Sequence, residues 1–321
     1  MKLQILDMLS AAPGFCSGEA ISKTLGISRA AVCKNIQALK KSGYDIESVT
    51  NRGYRLLQDS AQLSEITVLH GLKTKWMGQH VFYREETVST NLDAKNHADA
   101  PEGSLFLADL QTDGRGRLGR TWSVSQGSAI AASLLLKPDI PPESVSVITL
   151  LAGLSIAKIL QSMRIPAKIK WPNDIILNRK KICGILTEMS AEIERVNYVV
   201  LGIGINVNAK AFPEELSDKA TSLFLETGQE WNRPALLRTF LTQFEADYER
   251  FLQNGFSVFV EDYEKLSATI GQTIRVVSPK GEYTAKAVGI NSDGELLANQ
   301  DGKIVTIRSG EVSVRGLLGY V

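Results

Sequence analysis

Hydrophobic residues in the first sixty positions recur every three or four residues, the period of a helix that buries one face. The first such stripe begins at Leu3. A second helix is expected to start near Gly18 and to end at Gly26, where a glycine breaks the pattern. Ser28 is placed to cap a third helix that ends near Lys41. The pattern therefore predicts three short helices at the N-terminus.

In the segment that follows, from Ile46 to Leu56, hydrophobic residues alternate with polar ones. The alternation is interrupted by Asn51-Arg52-Gly53. This alternation predicts a two-stranded hairpin with a basic tip. Two helices joined by a tight turn and followed by a hairpin are typical of a winged helix-turn-helix. A small helical domain that binds another protein is the alternative.

The DNA interpretation places the helix-turn-helix at about residues 18–37. This segment of sixty residues has eight Lys and Arg against five Asp and Glu, so it is only mildly basic. Several polar side chains of the third helix and the wing can contact phosphates or base edges. They are Ser28, Arg29, Lys34, Asn35, Gln37 and Arg52.

The middle of the chain alternates predicted strands with predicted helices. Strands are expected over 81–85, 104–108, 130–136, 167–171, 174–177, 182–189 and 196–206, and long helices over 144–163 and 234–252. The last strands are closely spaced, which favours a largely antiparallel α+β sheet over a parallel Rossmann-type sheet. After residue 270 only short strands and turns are expected, and about five strands predict a small β-barrel. The predicted domains are 1–62, 63–268 and 269–321.

Composition narrows the functional classes. A chain of 321 residues exceeds one compact core, and its 44% hydrophobic and 22% charged residues are those of a globular protein. The net charge of +1 means that DNA binding must depend on a local patch. We expect no signal peptide, no apolar run of membrane-spanning length and no membrane partner. The three cysteines lack metal-binding spacing, which indicates a reducing cytoplasm.

The segment Gly114-Arg115-Gly116-Arg117-Leu118-Gly119-Arg120 is the strongest chemical signal. Its glycines let the backbone approach a ligand closely, and its guanidinium groups match carboxylate or phosphate oxygens. We interpret it as a flexible clamp for an anionic small molecule. A solvated surface loop, or a nucleic-acid contact, is the alternative. Trp122 follows directly and can stack on a flat ring.

Four other segments carry polar or glycine-rich patterns: Ser89-Thr90-Asn91, Lys170-Trp171-Pro172-Asn173-Asp174, Arg179-Lys180-Lys181 and Gly202-Ile203-Gly204-Ile205-Asn206. In the same order, their ordinary structural interpretations are a helix cap, a turn, a solvated hairpin tip and a strand. Their functional interpretations are a polar ligand site, a metal or phosphate site at Asp174, an anion contact by a lysine, and close packing against a ligand. The last segment lacks a following helix, so it is a poor dinucleotide motif.

Together these segments, in this order, closely resemble the biotin protein ligases, specifically the bifunctional kind that also represses the biotin operon. The resemblance covers essentially the whole chain. It implies a class II synthetase-like catalytic domain with a mixed, mainly antiparallel sheet, and an SH3-like barrel at the C-terminus. It also implies a biotin–[acetyl-CoA-carboxylase] ligase that forms biotinyl-5′-AMP from biotin and ATP. The biotin would then pass to a lysine of a carboxylase carrier domain. The adenylate-bound homodimer would bind the operator DNA of biotin genes.

The resemblance also implies roles for individual residues. Biotin would be bound by Ser89, Thr90, Asn91, Gln111, Arg115, Gly116, Arg117 and Lys181. ATP would be bound by Arg117, Arg120, Trp122, Asn173 and Asn206. The catalytic residues would be Arg115, Arg117, Lys181 and Asp174, with Asp174 also positioning Mg²⁺. We expect the arginine loop to be mobile without ligand and ordered with biotin or its adenylate.

Three other functions are compatible with the same residues: a ligand-sensing repressor without catalysis, a biotin ligase whose N-terminal domain does not bind DNA, and a lipoate ligase. Cys33 is a small departure from the family pattern on the third helix, where many relatives have a larger or more polar residue. This departure concerns the operator sequence and not DNA binding itself.

Overall fold

The computed structural model describes residues 1–122, 125–278, 281–309 and 313–316. Its N-terminal segment contains three helices and a hairpin, as predicted. They are α1 (Lys2–Ala11), α2 (Gly18–Leu25), α3 (Arg29–Lys41), β1 (Asp45–Val49) and β2 (Gly53–Gln58). Strands β1 and β2 pair antiparallel. The winged helix-turn-helix is therefore confirmed.

Local sequence explains where these helices begin and end. The hydroxyls of Ser17 and Ser28 accept hydrogen bonds from backbone N–H groups at the starts of α2 and α3. Gly26 ends α2 in the left-handed conformation with φ of 64°. The apolar stripes of the three helices meet in a small core of their own, which includes Ile5, Ile21, Val32, Ile36 and Leu39.

His70, which follows helix α4 (Glu65–Leu69), makes one of the contacts between the N-terminal segment and the rest of the protein. The His70 ring is 7% exposed. Its Nε2 lies 3.1 Å from the hydroxyl of Ser10 on α1, and its Nδ1 lies 3.6 Å from a carboxylate oxygen of Asp59. The ring also meets Tyr44 edge-on, with 5.8 Å between centroids. Polar and aromatic contacts thus join the winged segment to the central one.

The central segment is built on a seven-stranded sheet in the order β3-β4-β5-β9-β8-β7-β6. Its strands are β3 (Val81–Thr87), β4 (Leu105–Gln111), β5 (Ala129–Leu136), β6 (Lys168–Lys170), β7 (Asp174–Leu177), β8 (Lys180–Ala191) and β9 (Val196–Asn206). Only the β3–β4 pair is parallel among these pairings. The predicted largely antiparallel α+β sheet is therefore confirmed.

Helices cover both faces of this sheet. They are α5 (Thr90–Asn96), α6 (Val145–Ser162), α7 (Glu214–Ser217), α8 (Leu223–Thr227), α9 (Arg233–Asn254) and α10 (Val260–Leu266). Helix α6 packs against α9 and contacts β8, and its apolar side chains form the centre of the main core. The segment Pro142–Ser162 is long and apolar enough to cross a membrane. The expectation of no such run was wrong, but 72% of its most apolar window is buried inside the protein.

The C-terminal strands are β10 (Thr273–Ser278), β11 (Gly281–Ile290), β12 (Leu296–Gln300), β13 (Lys303–Ile307) and β14 (Ser313–Gly316). They form one antiparallel sheet in the order β13-β12-β11-β10-β14. The small SH3-like β-domain is confirmed. In the described part of the chain its outer strands β13 and β14 do not pair, so no closed barrel is seen there. The last of the five strands expected from the sequence covers 311–315, and its first two residues lie outside the described residues.

Candidate functional site

The candidate site lies on one face of the central sheet, where small residues from adjacent strands stand side by side. Asp174 of β7 pairs with Gly184 of β8, and Gly184 pairs with Gly204 of β9. One step along the same face, Gly202 of β9 pairs with Ser133 of β5. Directly paired residues of an antiparallel sheet project to the same side. Sequence-distant glycines therefore form a shallow floor between polar side chains.

Side chains of the protein rest on this floor. A Cβ atom on Gly204 would collide with the ring of Trp122, and one on Gly202 would collide with the amide of Asn91. The indole Nε1 of Trp122 is buried and has no hydrogen-bond partner among the described residues. The glycines were expected to pack against a ligand, whereas here they accommodate Trp122 and Asn91. An unpaired buried donor at such a place is costly and indicates a site that a ligand completes.

The cationic side of the site is centred on Lys181 at the start of β8. Its Nζ lies 2.5 Å from a carboxylate oxygen of Asp174 and 5.6 Å from the centre of the Trp122 ring. Asp174 is 8% exposed, whereas Lys181 is half-buried, so the carboxylate is the better shielded of the two charges. Two residues that were predicted separately as catalytic, Lys181 and Asp174, are thus brought together, although they are seven positions apart in the sequence.

Arg117 is the arginine of the glycine-rich loop that reaches into the molecule. Its Nη1 donates to the side-chain oxygen of Asn173 over 3.2 Å, and its Nη2 donates to the carbonyl of Ser309. Burial lowers the pKa of the Arg117 guanidinium, and the nearby Asp174 carboxylate opposes that shift. The loop therefore contacts both the Trp171-Pro172-Asn173-Asp174 turn and the C-terminal segment.

The other two arginines of the loop are exposed. Arg115 pairs with Asp113 over 3.1 Å, and Arg120 lies at the surface. The loop folds back on itself, since the N–H of Gly116 donates to the carbonyl of Arg120 over 2.7 Å. The structure thus brings Arg117 near Asp174, the partner of Lys181, and leaves Arg115 and Arg120 facing solvent.

The uncharged end of the site is formed where β3 gives way to α5. Ser89 occupies the N-cap position of α5, but its side chain accepts no capping hydrogen bond. The Oε1 atom of Gln111 accepts from the backbone N–H of Thr90 over 2.8 Å and lies 3.1 Å from its hydroxyl. The interpretation of this triplet as an ordinary side-chain helix cap is therefore not supported at Ser89.

Two further predicted residues are engaged in internal hydrogen bonds. The amide of Asn173 donates to the carbonyl of Ile185 over 3.1 Å, and that of Asn206 donates to the carbonyl of Thr221 over 3.0 Å. Asn206 is 3% exposed at the end of β9. Both asparagines therefore hold the backbone around the site in this structure.

Sequence reasoning missed Ser133, Lys95 and Glu188. Ser133 is fully buried, and its hydroxyl lies 2.6 Å from the Oδ1 atom of Asn91. Glu188 accepts from the amide of Asn91 over 2.7 Å and pairs with Lys95 over 2.5 Å. A signal existed for Ser133, because it is the one polar residue within the apolar strand β5.

Metal binding at the site depends on Asp174. Among the described residues, no group of three or more His, Cys, Asp or Glu side chains could hold a metal ion. Mg²⁺ needs no such cage, because it is usually bound by one or two carboxylates together with substrate phosphates and water. A single carboxylate beside Lys181 and Arg117 therefore fits Mg²⁺ only in company with a phosphate-bearing substrate.

The winged segment presents its own candidate surface on α3. Arg29, Lys34 and Gln37 are exposed, whereas Asn35 is half-buried and its amide donates to the carbonyl of Ala31 over 2.8 Å. The hydroxyl of Ser28 is used as the helix cap.

The wing is preorganised by aromatic and charged contacts. The Arg52 guanidinium lies 4.3 Å from the centre of the Phe15 ring, and Arg55 is paired with Glu47 over 2.6 Å. Arg52 is exposed, so its charge is presented at the tip of the hairpin. Such cation–π contacts hold a flexible side chain in a defined place.

Three family models match successive parts of the chain. Residues 2–55 match an HTH domain, residues 81–206 match the biotin/lipoate A/B protein ligase family, and residues 269–315 match the biotin protein ligase C-terminal domain. Their order is that of the three structural segments described above.

Similar proteins extend over nearly the whole chain. The bifunctional ligase/repressor BirA of Bacillus subtilis is 41% identical over 320 residues, which is 98% of each chain. That of Escherichia coli is 30% identical over 94% of this chain and 93% of its own. The biotin protein ligase of Aquifex aeolicus, solved in complex with biotin and ATP, superposes with a TM-score of 0.66 at 32% identity. It covers 74% of this chain and 99% of its own. The chain therefore belongs to the family of bifunctional biotin protein ligases and repressors.

Proposed function

We propose that the protein activates biotin with ATP as biotinyl-5′-AMP, releases pyrophosphate, and then transfers biotin to a lysine of a carboxylase carrier domain. The observation on which this depends is the grouping of Lys181, Asp174 and Arg117. Trp122, whose ring centre lies 5.6 Å from Nζ of Lys181, connects this group to an uncharged wall of Thr90 and Gln111, because its carbonyl oxygen and the Nε2 atom of Gln111 both lie against Gly114. Such a site offers cations for a carboxylate and a triphosphate, and neutral polar groups for a ureido ring. The Aquifex aeolicus relative was solved with both biotin and ATP, which supports the same pair of substrates.

The ureido ring of biotin would lie at the uncharged wall. The Ser89 hydroxyl, which does not cap its helix, is available for a ligand. Thr90 and Gln111 complete this wall and are already joined by hydrogen bonds. A prearranged wall loses little side-chain entropy when the ligand binds.

The first reaction joins two anions and needs positive charge. A carboxylate oxygen of biotin attacks the α-phosphorus of ATP, and the bond from that phosphorus to pyrophosphate breaks. Lys181 and the arginines of the loop, Arg115 and Arg117, would offset the repulsion between carboxylate and phosphate and stabilise the charge that builds in the transition state. The backbone at Gly116 would close over the ligand. Mg²⁺, held by Asp174 and phosphate oxygens, would act as a Lewis acid on the phosphates.

The nucleotide would occupy the part of the floor nearest Trp122 and Asn173. The Trp122 ring now covers Gly204, and it offers a flat face on which adenine can stack. Arg120 would reach the phosphates from the loop, and Asn206 would support the floor at the end of β9. In the second reaction AMP is a good leaving group, so the lysine of the carrier domain needs positioning more than a strong base.

We also propose the regulatory half of the function. The adenylate-bound protein would form a homodimer, and two winged segments would then meet the two halves of an operator of the biotin genes. Residues 1–62 would serve as the DNA-binding domain, 63–268 as the catalytic domain and 269–321 as the small C-terminal domain. The cytoplasm would supply ATP, the carrier protein and the DNA.

Incubation of the full chain with ATP, Mg²⁺, biotin and a carrier domain tests the enzymatic proposal. The expected result is one biotinylated lysine and one pyrophosphate for each transfer. Binding of biotin without any labelled lysine would leave only a sensor. Preference for lipoate over biotin would favour a lipoate ligase. A shift assay on DNA upstream of biotin genes, with and without biotin and ATP, tests the repressor function separately.

A further inference from the structure

We propose that Glu188 is a positioning residue that fixes the direction of the hydrogen bonds at the uncharged wall of Thr90 and Gln111. Through Asn91 and Ser133 it holds the Thr90 hydroxyl as a hydrogen-bond acceptor toward a ureido N–H of biotin. The inference rests on the proposed placement of biotin against Thr90 and Gln111. It assigns Asn91 a role behind the wall, where it acts through other residues and does not itself contact the ligand.

The chain of hydrogen bonds from Glu188 to Thr90 begins with the orientation of the Asn91 amide. Its Nδ2 atom lies 2.7 Å from a carboxylate oxygen of Glu188 and 3.4 Å from the carbonyl oxygen of Leu186. An ionised carboxylate and a carbonyl can only accept hydrogen bonds. The NH₂ group of Asn91 must therefore face them, which turns its Oδ1 atom toward Ser133.

The direction of the Ser133 hydroxyl proton follows from that orientation. It lies 2.6 Å from Oδ1 of Asn91, which can only accept, so the single proton of Ser133 is directed there. The Ser133 oxygen, 2.8 Å from the Thr90 hydroxyl, is then left to accept. Ser133 is fully buried, so no water can reverse the chain.

The Thr90 hydroxyl is the end of the chain and part of the wall. Its proton has two acceptors nearby, the Ser133 oxygen at 2.8 Å and the Gln111 Oε1 atom at 3.1 Å. While Ser133 accepts over the shorter distance, the proton points into the protein, and the Thr90 oxygen offers a lone pair to a ligand. Without that acceptor, only the longer contact to Gln111 would oppose donation from Thr90 to a ligand. Oε1 of Gln111 accepts from the Thr90 N–H, so its donor Nε2 lies on the other side of that amide. One acceptor and one donor match the N–H and the C=O of a cyclic urea.

The charge of Glu188 is what makes the chain directional. Burial raises the pKa of the Glu188 carboxyl, but hydrogen bonds from Lys95 and Asn91 outweigh burial, and the net shift of the pKa is downward. The residue is therefore an acceptor at neutral pH. A glutamine of the same shape can present either an oxygen or an NH₂ group, so it would allow the Asn91 amide to turn over.

The floor of the sheet accommodates this arrangement. Asn91 stands on Gly202, where any Cβ atom would collide with its amide oxygen. Glycine at 202 and an acceptor at 188 are thus needed on neighbouring strands, β9 and β8, for the same side chain.

The variant Glu188→Gln tests the proposal in the full chain. Loss of one directed hydrogen bond is expected to raise the KM for biotin about tenfold, while the KM for ATP changes less than about twofold. Glu192→Gln is the matched control, because Glu192 is exposed at the end of β8 and the substitution makes the same change in charge. Ser133→Ala interrupts the chain of hydrogen bonds at a second point. It is expected to raise the KM for biotin in the same way, with little change in the KM for ATP.

A second measurement distinguishes a change in the direction of the hydrogen bonds from a general loss of binding. Two cyclic carbamates, in which one or the other ureido N–H of biotin is replaced by a ring oxygen, are compared with biotin for binding. The wild-type protein is expected to discriminate about tenfold against the carbamate that lacks the N–H facing Thr90. Glu188→Gln is expected to reduce this discrimination to less than about threefold, because the Thr90 hydroxyl can then donate.

Unchanged discrimination in both Glu188→Gln and Ser133→Ala would overturn the inference, as would equal increases in the KM values for biotin and ATP. Failure of the proposed function gives a different result, since the wild-type protein would then either not bind biotin or bind it without labelling a carrier domain.

Discussion

The ammonium group of Lys181 lies 2.5 Å from the carboxylate of Asp174 across the β7–β8 pair of strands. This contact pairs a half-buried ammonium with a buried carboxylate before any substrate is present. Under the proposed function, the oxygens of a triphosphate would take over the lysine, and the carboxylate would then be free to bind a cation. The pair would thus hold both groups in place until the substrate arrives.

Lys181→Gln is expected to slow adenylate formation about 10²- to 10³-fold, the cost typical of removing one group that stabilises transition-state charge. Transfer from supplied biotinyl-5′-AMP should suffer less, because that step does not build the same charge. Pyrophosphate release and carrier labelling measure the two steps. Lys180→Gln is the matched control, since Lys180 donates to the carbonyl of Ser217 outside the site. Equal effects of both variants would contradict the assignment.

The elements were well predicted because they depend on local periodicity. Strand β9 follows directly from its apolar residues. The hairpin tip was expected at 179–181 but lies at 178–179, because Lys180 and Lys181 already belong to β8. The site was predicted only in part. Ser133 and Glu188 meet Asn91 because the register of four strands places them together, and no local pattern contains that register. The sequence also did not predict which side chains of the loop point inward, since Arg117 points inward and Arg115 outward within the same loop.

The arginine loop should be cut by trypsin in the free protein and protected by biotin with ATP. Arg115 and Arg120 are exposed, and ordering about seven residues costs on the order of 7–14 kcal/mol of backbone entropy, which ligand contacts must offset. Peptide mapping by mass spectrometry measures cleavage at each site. Arg195, exposed in the turn between β8 and β9, is the internal control, because ligand should not change its cleavage. Equal cleavage of the loop with and without ligand would count against a clamp.

Gly204→Ala is expected to destabilise the protein by about 1–3 kcal/mol, the typical cost of overpacking. The new methyl group would collide with the Trp122 ring, which must move away from the floor. Thermal unfolding measures the stability, and tryptophan fluorescence reports the displaced ring. Gly14→Ala is the control, because its added Cβ atom meets nothing within 4 Å. A wild-type spectrum and stability for Gly204→Ala would show that the ring does not rest there.

Arg29→Ala is expected to weaken operator binding and to reduce its salt dependence by about one unit of slope, as for loss of one phosphate contact. Asn35→Ala should have a smaller effect, because the Asn35 amide already bonds to the carbonyl of Ala31 within α3. Shift assays at several salt concentrations measure both effects. Ligase activity should be unchanged in both variants, since α3 lies in a separate core. A larger loss for Asn35→Ala would mean that this amide turns toward the DNA.

The hydrogen bond from Arg117 to the carbonyl of Ser309 ties the glycine-rich loop to the C-terminal segment. Under the proposed function, a backbone oxygen near the end of the polypeptide would thereby help to seat a guanidinium that meets the phosphates. A substitution in the C-terminal domain that shifts this oxygen would then tune turnover without altering a single group that meets the substrate.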